Sequence, residues 1–315
     1  MSSQRIERIL NSGFRAVLVT TGGGSSALNA LLTTPGASRF VIEAHVPYSP
    51  EALERFLGEK PEHSVSPATA SKLAQTAVRG QDTGVIGVSC SAALMTDRER
   101  RGEDRAFICI KTADAEKLCA LYFSKTSRAE QEALLSDWLL VLIAQAVGAE
   151  RGLMLPGSFN PVHQGHRNLL KVAEEMTGLR GIFELSCANV DKPDIPEEEI
   201  LRRASAICDI PVALTRAPRF VQKARLFPGS TFVLGYDTAK RLIECAQPGE
   251  WDINVPQRSC FQTLETKFLV AGRHHAGDFQ SLENLKLPDG FEDLFTAISE
   301  TKFREDISSS ALRNV

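Results

Sequence analysis

With 315 residues, 43% of them hydrophobic and 24% charged, the chain has the make-up of a soluble globular protein and enough length for two domains, each with its own core. Its formal net charge of -3 excludes a general attraction to nucleic acid or to anionic membrane, so any phosphate it binds is held by a local site. The seven cysteines (Cys90, Cys109, Cys119, Cys187, Cys208, Cys245, Cys260) are scattered and never in C-x-x-C spacing. MSSQRIERIL is too charged for a signal peptide, and no apolar run reaches membrane-spanning length, so the expectation is a cytoplasmic protein with reduced, mostly buried thiols.

The first half alternates helix and strand. SQRIERILNSG predicts a helix stopped at Gly13, Phe14 to Val19 a buried strand, and TTGGGSSALNALL a glycine-rich turn into a helix. SRFVIEAHV is the next strand. A helix starts at Pro50 and another follows SVSPAT, running to about Arg79. TGVIGVSCS, RAFICIKTA and KLCALYFS predict three strands, the last two a hairpin around Asp114. A long amphipathic helix from Ser127 to about Val147 carries Leu134, Leu135, Trp138, Leu139, Leu142 and Ile143 on one face. GAERG, residues 148–152, is the natural joint, which predicts an α/β domain over residues 1–150 and a second domain over 151–315.

TTGGGSSALNALLTTPGAS, VPYSPEALERFLG and SVSPATA resemble, in order and spacing, the carboxyl-terminal domain of CinA, the nicotinamide-nucleotide amidohydrolase family. The family's serine two residues before the T-G-G turn is Val19 here, and its lysine after Y-S-x-E-A is Leu53. SCSAALMT, residues 89–96, stands where the family has a second glycine-rich loop. A serine attacks only when a neighbouring base takes its proton, and neither valine nor leucine can join such a pair. Thr20, Thr21 and Ser25 are the remaining hydroxyls, with no base apparent in the sequence. The expectation is therefore a CinA-like domain without hydrolase activity, serving as a scaffold or through homo-oligomerisation.

The second half opens on GLMLP, a strand, followed by GSFNPVHQGHRNLL, residues 157–170. Leu169, Leu170, Val172, Ala173 and Met176 recur at helical spacing, so the segment reads strand, loop, helix. Gly157 lets backbone approach a ligand, Gly165 permits a tight turn, and the free N–H groups of the helix start face the loop. His163 and His166 can both face one anion as donors there; a metal reading lacks a third ligand nearby. GIFELSCA, PVALT, TFVLG (Thr231–Gly235) and KFLVAGR supply further strands, with helices at PEEEILRRASAIC and YDTAKRLIECA. The pattern predicts a Rossmann-like, doubly wound parallel sheet whose ligands lie beyond the carboxyl ends of the strands. Arg216, Arg219, Lys223 and Arg225 read as a charged helix face or, alternatively, as a receiver of a phosphorylated substrate, and His274 and His275 as surface.

GSFNPVHQGH resembles the signature G-x-F-x-P-x-H-x-G-H of the nucleotidyltransferase superfamily at every fixed position (Gly157, Phe159, Pro161, His163, Gly165, His166), and its wording is most similar to nicotinamide-nucleotide adenylyltransferases. Ile307-Ser308-Ser309-Ser310-Ala311-Leu312-Arg313 resembles that family's second motif, I-S-S-T-x-x-R, and Gly235 and Asp237 match its G-x-D. The resemblance implies that His166 contacts the α-phosphate and His163 the phosphate chain, that Ser309 and Arg313 hold the β- and γ-phosphates, and that Gly157, Ser158, Phe159, Gly165, Gly235, Asp237 and Ser308 line the nucleotide site. Asp237 also reads as an N-cap. Lys192 stands where some family members place a phosphate-binding lysine and also reads as a solvated loop lysine; it and Asn160 are the residues implied in substrate binding.

Adenylyl transfer to a mononucleotide needs no nucleophilic side chain, because the attacking phosphate oxygen is already ionised. What it needs is in-line alignment and charge stabilisation, usually with Mg²⁺. The expected activity is ATP-dependent transfer to nicotinamide mononucleotide or its acid, giving a NAD-type dinucleotide and pyrophosphate. One alternative is cytidylyl transfer from CTP to a phosphorylated alcohol, although relatives of that kind carry an arginine and glycine where Glu305 and Asp306 precede the second motif. Another is a nucleotide-binding sensor or assembly protein without turnover.

Overall fold

A computed structural model describes residues 2–97, 102–188, 195–244, 259–275 and 278–305. The chain divides into two compact units: residues 1–150 with 207–214, and residues 151–206 with 215–315.

In unit 1, helix α1 (Ser3–Leu10) turns Ile6, Ile9 and Leu10 inward and is followed by β1 (Arg15–Thr21), buried from Ala16 onward. Then come α2 (Ser25–Leu32), β2 (Val41–His45), α3 (Pro50–Leu57), α4 (Pro67–Ala77), β3 (Val85–Ala93), β4 (Arg105–Lys111), β5 (Glu116–Tyr122) and α5 (Arg128–Ala146). Three helix starts are set by serine caps: Ser49 accepts from Ala52 N–H, Ser66 from Thr69 N–H, and Ser127 shares a capping box with Glu130. β1 runs parallel to β2 and β3, while β4 and β5 turn antiparallel as the predicted hairpin.

One strand departs from the sequence reading. PVALT counts as the third strand of the second domain, yet Val212, Ala213 and Leu214 pair antiparallel with Ala120, Cys119 and Leu118 of β5 and belong to unit 1. Asp209 fixes the approach: its φ is +66, its carboxylate accepts from Ser124 N–H at 2.9 Å, and its carbonyl accepts from Trp138 Nε1 at 3.0 Å. A short apolar strand states that it is buried on both faces but not which edge it joins.

Unit 2 contains β6 (Leu153–Gly157), α6 (Gln164–Thr177), β7 (Gly181–Ser186), α7 (Glu197–Ser205), the end of β8 (Val212–Thr215), α8 (Phe220–Leu226), β9 (Thr231–Gly235), α9 (Tyr236–Glu244), α10 (Cys260–Thr263), β10 (Lys267–Ala271), β11 (Arg273–His275), β12 (Asp278–Gln280) and β13 (Phe295–Ile298). Its strands are parallel in the order β13-β10-β9-β6-β7. The core is aromatic, with Phe268 stacked between Phe232 and Phe295 and edge-on to Phe261. β13, the hairpin β11–β12 and α10 have no counterpart in the sequence reading. Of the described cysteines, Cys90, Cys109 and Cys119 are buried, whereas Cys187, Cys208 and Cys260 are half-buried, fewer in the core than expected.

β6 has β7 on one side and β9 on the other, so strand order reverses at β6. β6 and β9 pair only through Leu153–Thr231 and Met154–Phe232, after which their carboxyl ends are free of each other. That splayed end is where a doubly wound sheet accepts a ligand.

Candidate active site

At the splayed end, Gly157 leads from β6 into the loop. A Cβ there would lie 2.7 Å from the Phe159 ring, so this position has room for hydrogen alone. Phe159 takes φ +43, a left-handed backbone rare outside glycine, and is only 2% exposed. Its ring is edge-on to Phe183 at 5.0 Å and to His166 at 5.2 Å. Burial of that ring holds the unusual backbone in place and forms the floor under the imidazoles. The Asn160–Pro161 peptide is cis.

His163, with extended backbone, stands at the N-cap of α6. Its N–H donates to Nδ1 of His166 at 3.2 Å, and the two rings stack with centroids 3.7 Å apart and planes at 30°. An acceptor at Nδ1 leaves the ring proton of His166 on Nε2, turned away from the backbone. Burial lowers the His166 pKa to about 4, with the neighbouring His163 adding to the effect. Burial also lowers that of His163, against the pull of Glu305. Both rings are therefore neutral donors at physiological pH, beside the first-turn amides of α6 that have no intrahelical acceptor. Nδ1 of His163 is buried without a partner among the described residues.

Gly165 is buried under this pair; a Cβ there would come 3.1 Å from His163 Nδ1 and 3.5 Å from the Cβ of Glu305. Glu305 accepts from Asn168 Nδ2 at 2.5 Å, which brings the chain just before the second motif onto the first turns of α6. The sequence reading marked Glu305 only as a departure from a family pattern.

The rim brings in two arginines that sequence reasoning missed. Arg203 donates to the Ser158 carbonyl at 3.1 Å, and Arg202 to Asn160 Oδ1 at 3.4 Å. Both also grip Glu199 on the same helix, and hydrogen bonds from Arg202 and then Arg203 lower the Glu199 carboxyl to about 2. The i, i+3 and i, i+4 spacing in EEILRR was a legible helix signal; the reach of Arg202 and Arg203 to a loop 42 and 45 residues earlier was not.

Gly235 is exposed at the end of β9, and Asp237 sits in the first turn of α9, where its carboxylate accepts from Arg273 Nη1. Thus Gly157, Ser158, Phe159, Asn160, His163, Gly165 and His166 lie along one strand–loop–helix passage, and Gly235 and Asp237 lie at the end of the neighbouring strand and in the helix after it. His274 departs from its surface reading: it is half-buried, tilted on Phe279, and its Nε2 lies 2.9 Å from Glu300. Lys192, Ser308, Ser309 and Arg313 lie outside the described residues.

In unit 1, Val19 and Leu53 lie 0% and 2% exposed in one core cluster with Val17, Leu57 and Leu73, where both side chains are packed as hydrocarbon.

The family model described as cytidylyltransferase-like matches residues 154–315. Among solved structures, the chain is similar to a CinA superfamily protein from Klebsiella pneumoniae (16% identity, TM-score 0.41, 47% of this chain and 96% of that one). It is also similar to competence or damage-inducible proteins from Enterobacter asburiae (18%, 0.40, 47% and 96%) and Agrobacterium tumefaciens (19%, 0.40, 46% and 94%). No curated protein matches the chain. Among the described residues no helix is long and apolar enough to cross a membrane.

Proposed function

The chain belongs to the cytidylyltransferase-like family, and from that premise we propose that unit 2 transfers the adenylyl group of ATP to nicotinamide mononucleotide or its acid, giving a NAD-type dinucleotide and pyrophosphate. One observation carries the reading: His163 and His166, stacked 3.7 Å apart, stand at the amino end of α6 beyond the reversal of strand order. With its Nδ1 occupied and its pKa lowered, His166 is a donor and a poor base, and with the helix amides it offers what an already ionised phosphate nucleophile requires. His166 Nε2 then meets the α-phosphate, His163 the phosphate chain, and Ser309 and Arg313 close the cradle over the β- and γ-phosphates. Ser308 is assigned beside them as a further hydroxyl for the nucleotide. Gly235 and Asp237 lie on the nucleoside side, with Asn160 and Lys192 toward the acceptor. Mg²⁺ would enter with the triphosphate and neutralise part of its charge. Unit 1 serves as scaffold or dimerisation element.

The test is pyrophosphate release from ATP with a panel of mononucleotides, set against CTP with phosphorylated alcohols. Turnover with ATP and a pyridine mononucleotide is the expected outcome. The family description favours cytidylyl transfer as the second reading, and turnover with CTP alone would replace the first by it. Binding of ATP with no release for any acceptor would leave a sensor.

A further inference from the structure

Unit 1 has a cradle of its own, and the chain already fills it. β1 delivers the backbone at Thr21 into Gly22–Gly24, and α2 begins at Ser25, so the amides of Gly24 and Ser26 project from the amino end of a helix, as in anion-binding turns. The turn is fixed: Gly22 has φ +77, and a Cβ there would lie 1.8 Å from the Ala92 carbonyl oxygen.

Glu132 of α5 places its carboxylate in this turn. Oε2 accepts from Gly24 N–H at 2.8 Å, and Oε1 accepts from Ser26 N–H at 2.9 Å and from the hydroxyls of Ser25 and Ser136, both at 3.1 Å. Burial pushes the Glu132 carboxyl up, but the hydrogen bonds from Ser26, Gly24, Ser25 and Ser136 bring it below the usual carboxylate range. One helical turn earlier, Arg128 donates to the carbonyls of Met95 and Gly22, both at 3.1 Å, and to the Tyr48 hydroxyl at 3.3 Å.

Beside this pair lies a cavity of about 180 Å³ lined by Thr20, Ser25, Val46, Tyr48, Arg128 and Glu132. Thr20, at its edge, is 3% exposed. Tyr48 stands at the rim, 65% exposed. A cavity with a buried threonine in its wall, an exposed aromatic ring and an anion-binding turn are the parts of a ligand site. The anion in it belongs to the protein.

We propose that Glu132 is an intramolecular occupant of this turn, an autoinhibitory carboxylate that stands in for the anionic group of a ligand and keeps the site closed. The contact also bears on Ser25, the hydroxyl left without a base in the sequence. Its carboxylate partner is saturated by donors and held ionised, and such a group is a poor proton acceptor, so Ser25 stays unactivated.

Amide hydrogen exchange on the full-length protein, with inorganic phosphate as the probe, tests this at the turn itself and separates it from phosphate bound in unit 2. In the parent, residues 22–27 are protected and do not respond to phosphate. In Glu132→Ala their exchange is about tenfold faster or more, the size expected for losing hydrogen bonds to a charged group, and added phosphate slows it again. In Glu132→Gln, which fills the same space without charge, exchange is faster than in the parent and phosphate changes nothing. The inference is overturned if phosphate slows exchange at 22–27 in the parent, or if the alanine variant shows neither the loss nor the recovery. Should the alanine variant fail to fold, judged by exchange in β3 to β5, the glutamine variant decides. Faster exchange at 22–27 with those strands unchanged supports the proposal, and parental exchange there refutes it.

Discussion

The two units repeat one local device and use it in opposite ways. Each runs a strand into a glycine-bearing loop and out through a helix whose first amides are free of intrahelical partners. In unit 1 those amides meet Glu132, so the turn is electrically satisfied from within. In unit 2 the helix start meets two stacked imidazoles, and the nearby carboxylate of Glu305 is spent on the side chain of Asn168. A glycine turn at a helix start is therefore a capacity to bind an anion, and the side chains brought from elsewhere decide whether that capacity is open or filled.

The largest expected effect tests how firmly the open cradle is walled. Glu184 on β7, 0% exposed, stands opposite Pro156 in the sheet register, and both its oxygens accept from Lys223 Nζ at 2.8 and 2.7 Å, with Thr215 donating as well. Lys223→Met leaves that carboxylate buried and unpaired, which costs about 3–5 kcal/mol. Chemical denaturation should show the loss in unit 2. A drop below 1 kcal/mol on the scale of surface pairs would mean the pair is not the wall it looks to be.

The next effect is on rate, and it contrasts the two turns directly. His166→Ala removes a donor from the open cradle and should lower kcat by about a hundredfold or more, roughly 3 kcal/mol in the barrier. Glu132→Ala alters the filled turn and should leave kcat as in the parent. Equal losses from both substitutions, read by pyrophosphate release, would erase the distinction drawn between the turns.

Much of this contrast is written in the sequence, and the part that is not has a physical reason. Gly157, Phe159, His163, Gly165 and His166 are readable because their chemistry and their spacing lie within ten consecutive residues, where backbone geometry fixes who meets whom. TTGGGSS was equally readable as a turn, but its occupant comes from residue 132, more than 100 positions away, and a Glu on an amphipathic helix looks like any solvated acid. The same holds for Arg202, Arg203 and Glu305, which reach the loop from other elements, and for Val212 to Leu214, whose apolar pattern suits more than one sheet edge. Phe295 to Ile298 escaped notice because a four-residue strand has too few alternations to register.

The smallest effect separates the turns by acid. The fold lowers the His166 pKa from its ordinary 6.5 to about 4, chiefly by burial, and lowers that of His163 as well. Because the folded rings resist protonation, the unfolded chain takes up protons first as pH falls below 6.5, so the stability these rings contribute is full above that pH and is lost on the way down to about 4. Glu132 has the opposite chemistry and the same sign: its lowered carboxyl stabilises the turn above the ordinary carboxylate range, and that stability is lost only as pH falls through and below it. Protection, taken relative to the intrinsic exchange rate at each pH, should thus fall at residues 157–170 between pH 6.5 and 4, while that at residues 22–27 holds until lower pH. His166→Asn should flatten the first change and leave the second untouched. If acid loosens both turns together, the imidazoles are not what distinguishes the open cradle, and its selectivity for anions must come from backbone amides alone.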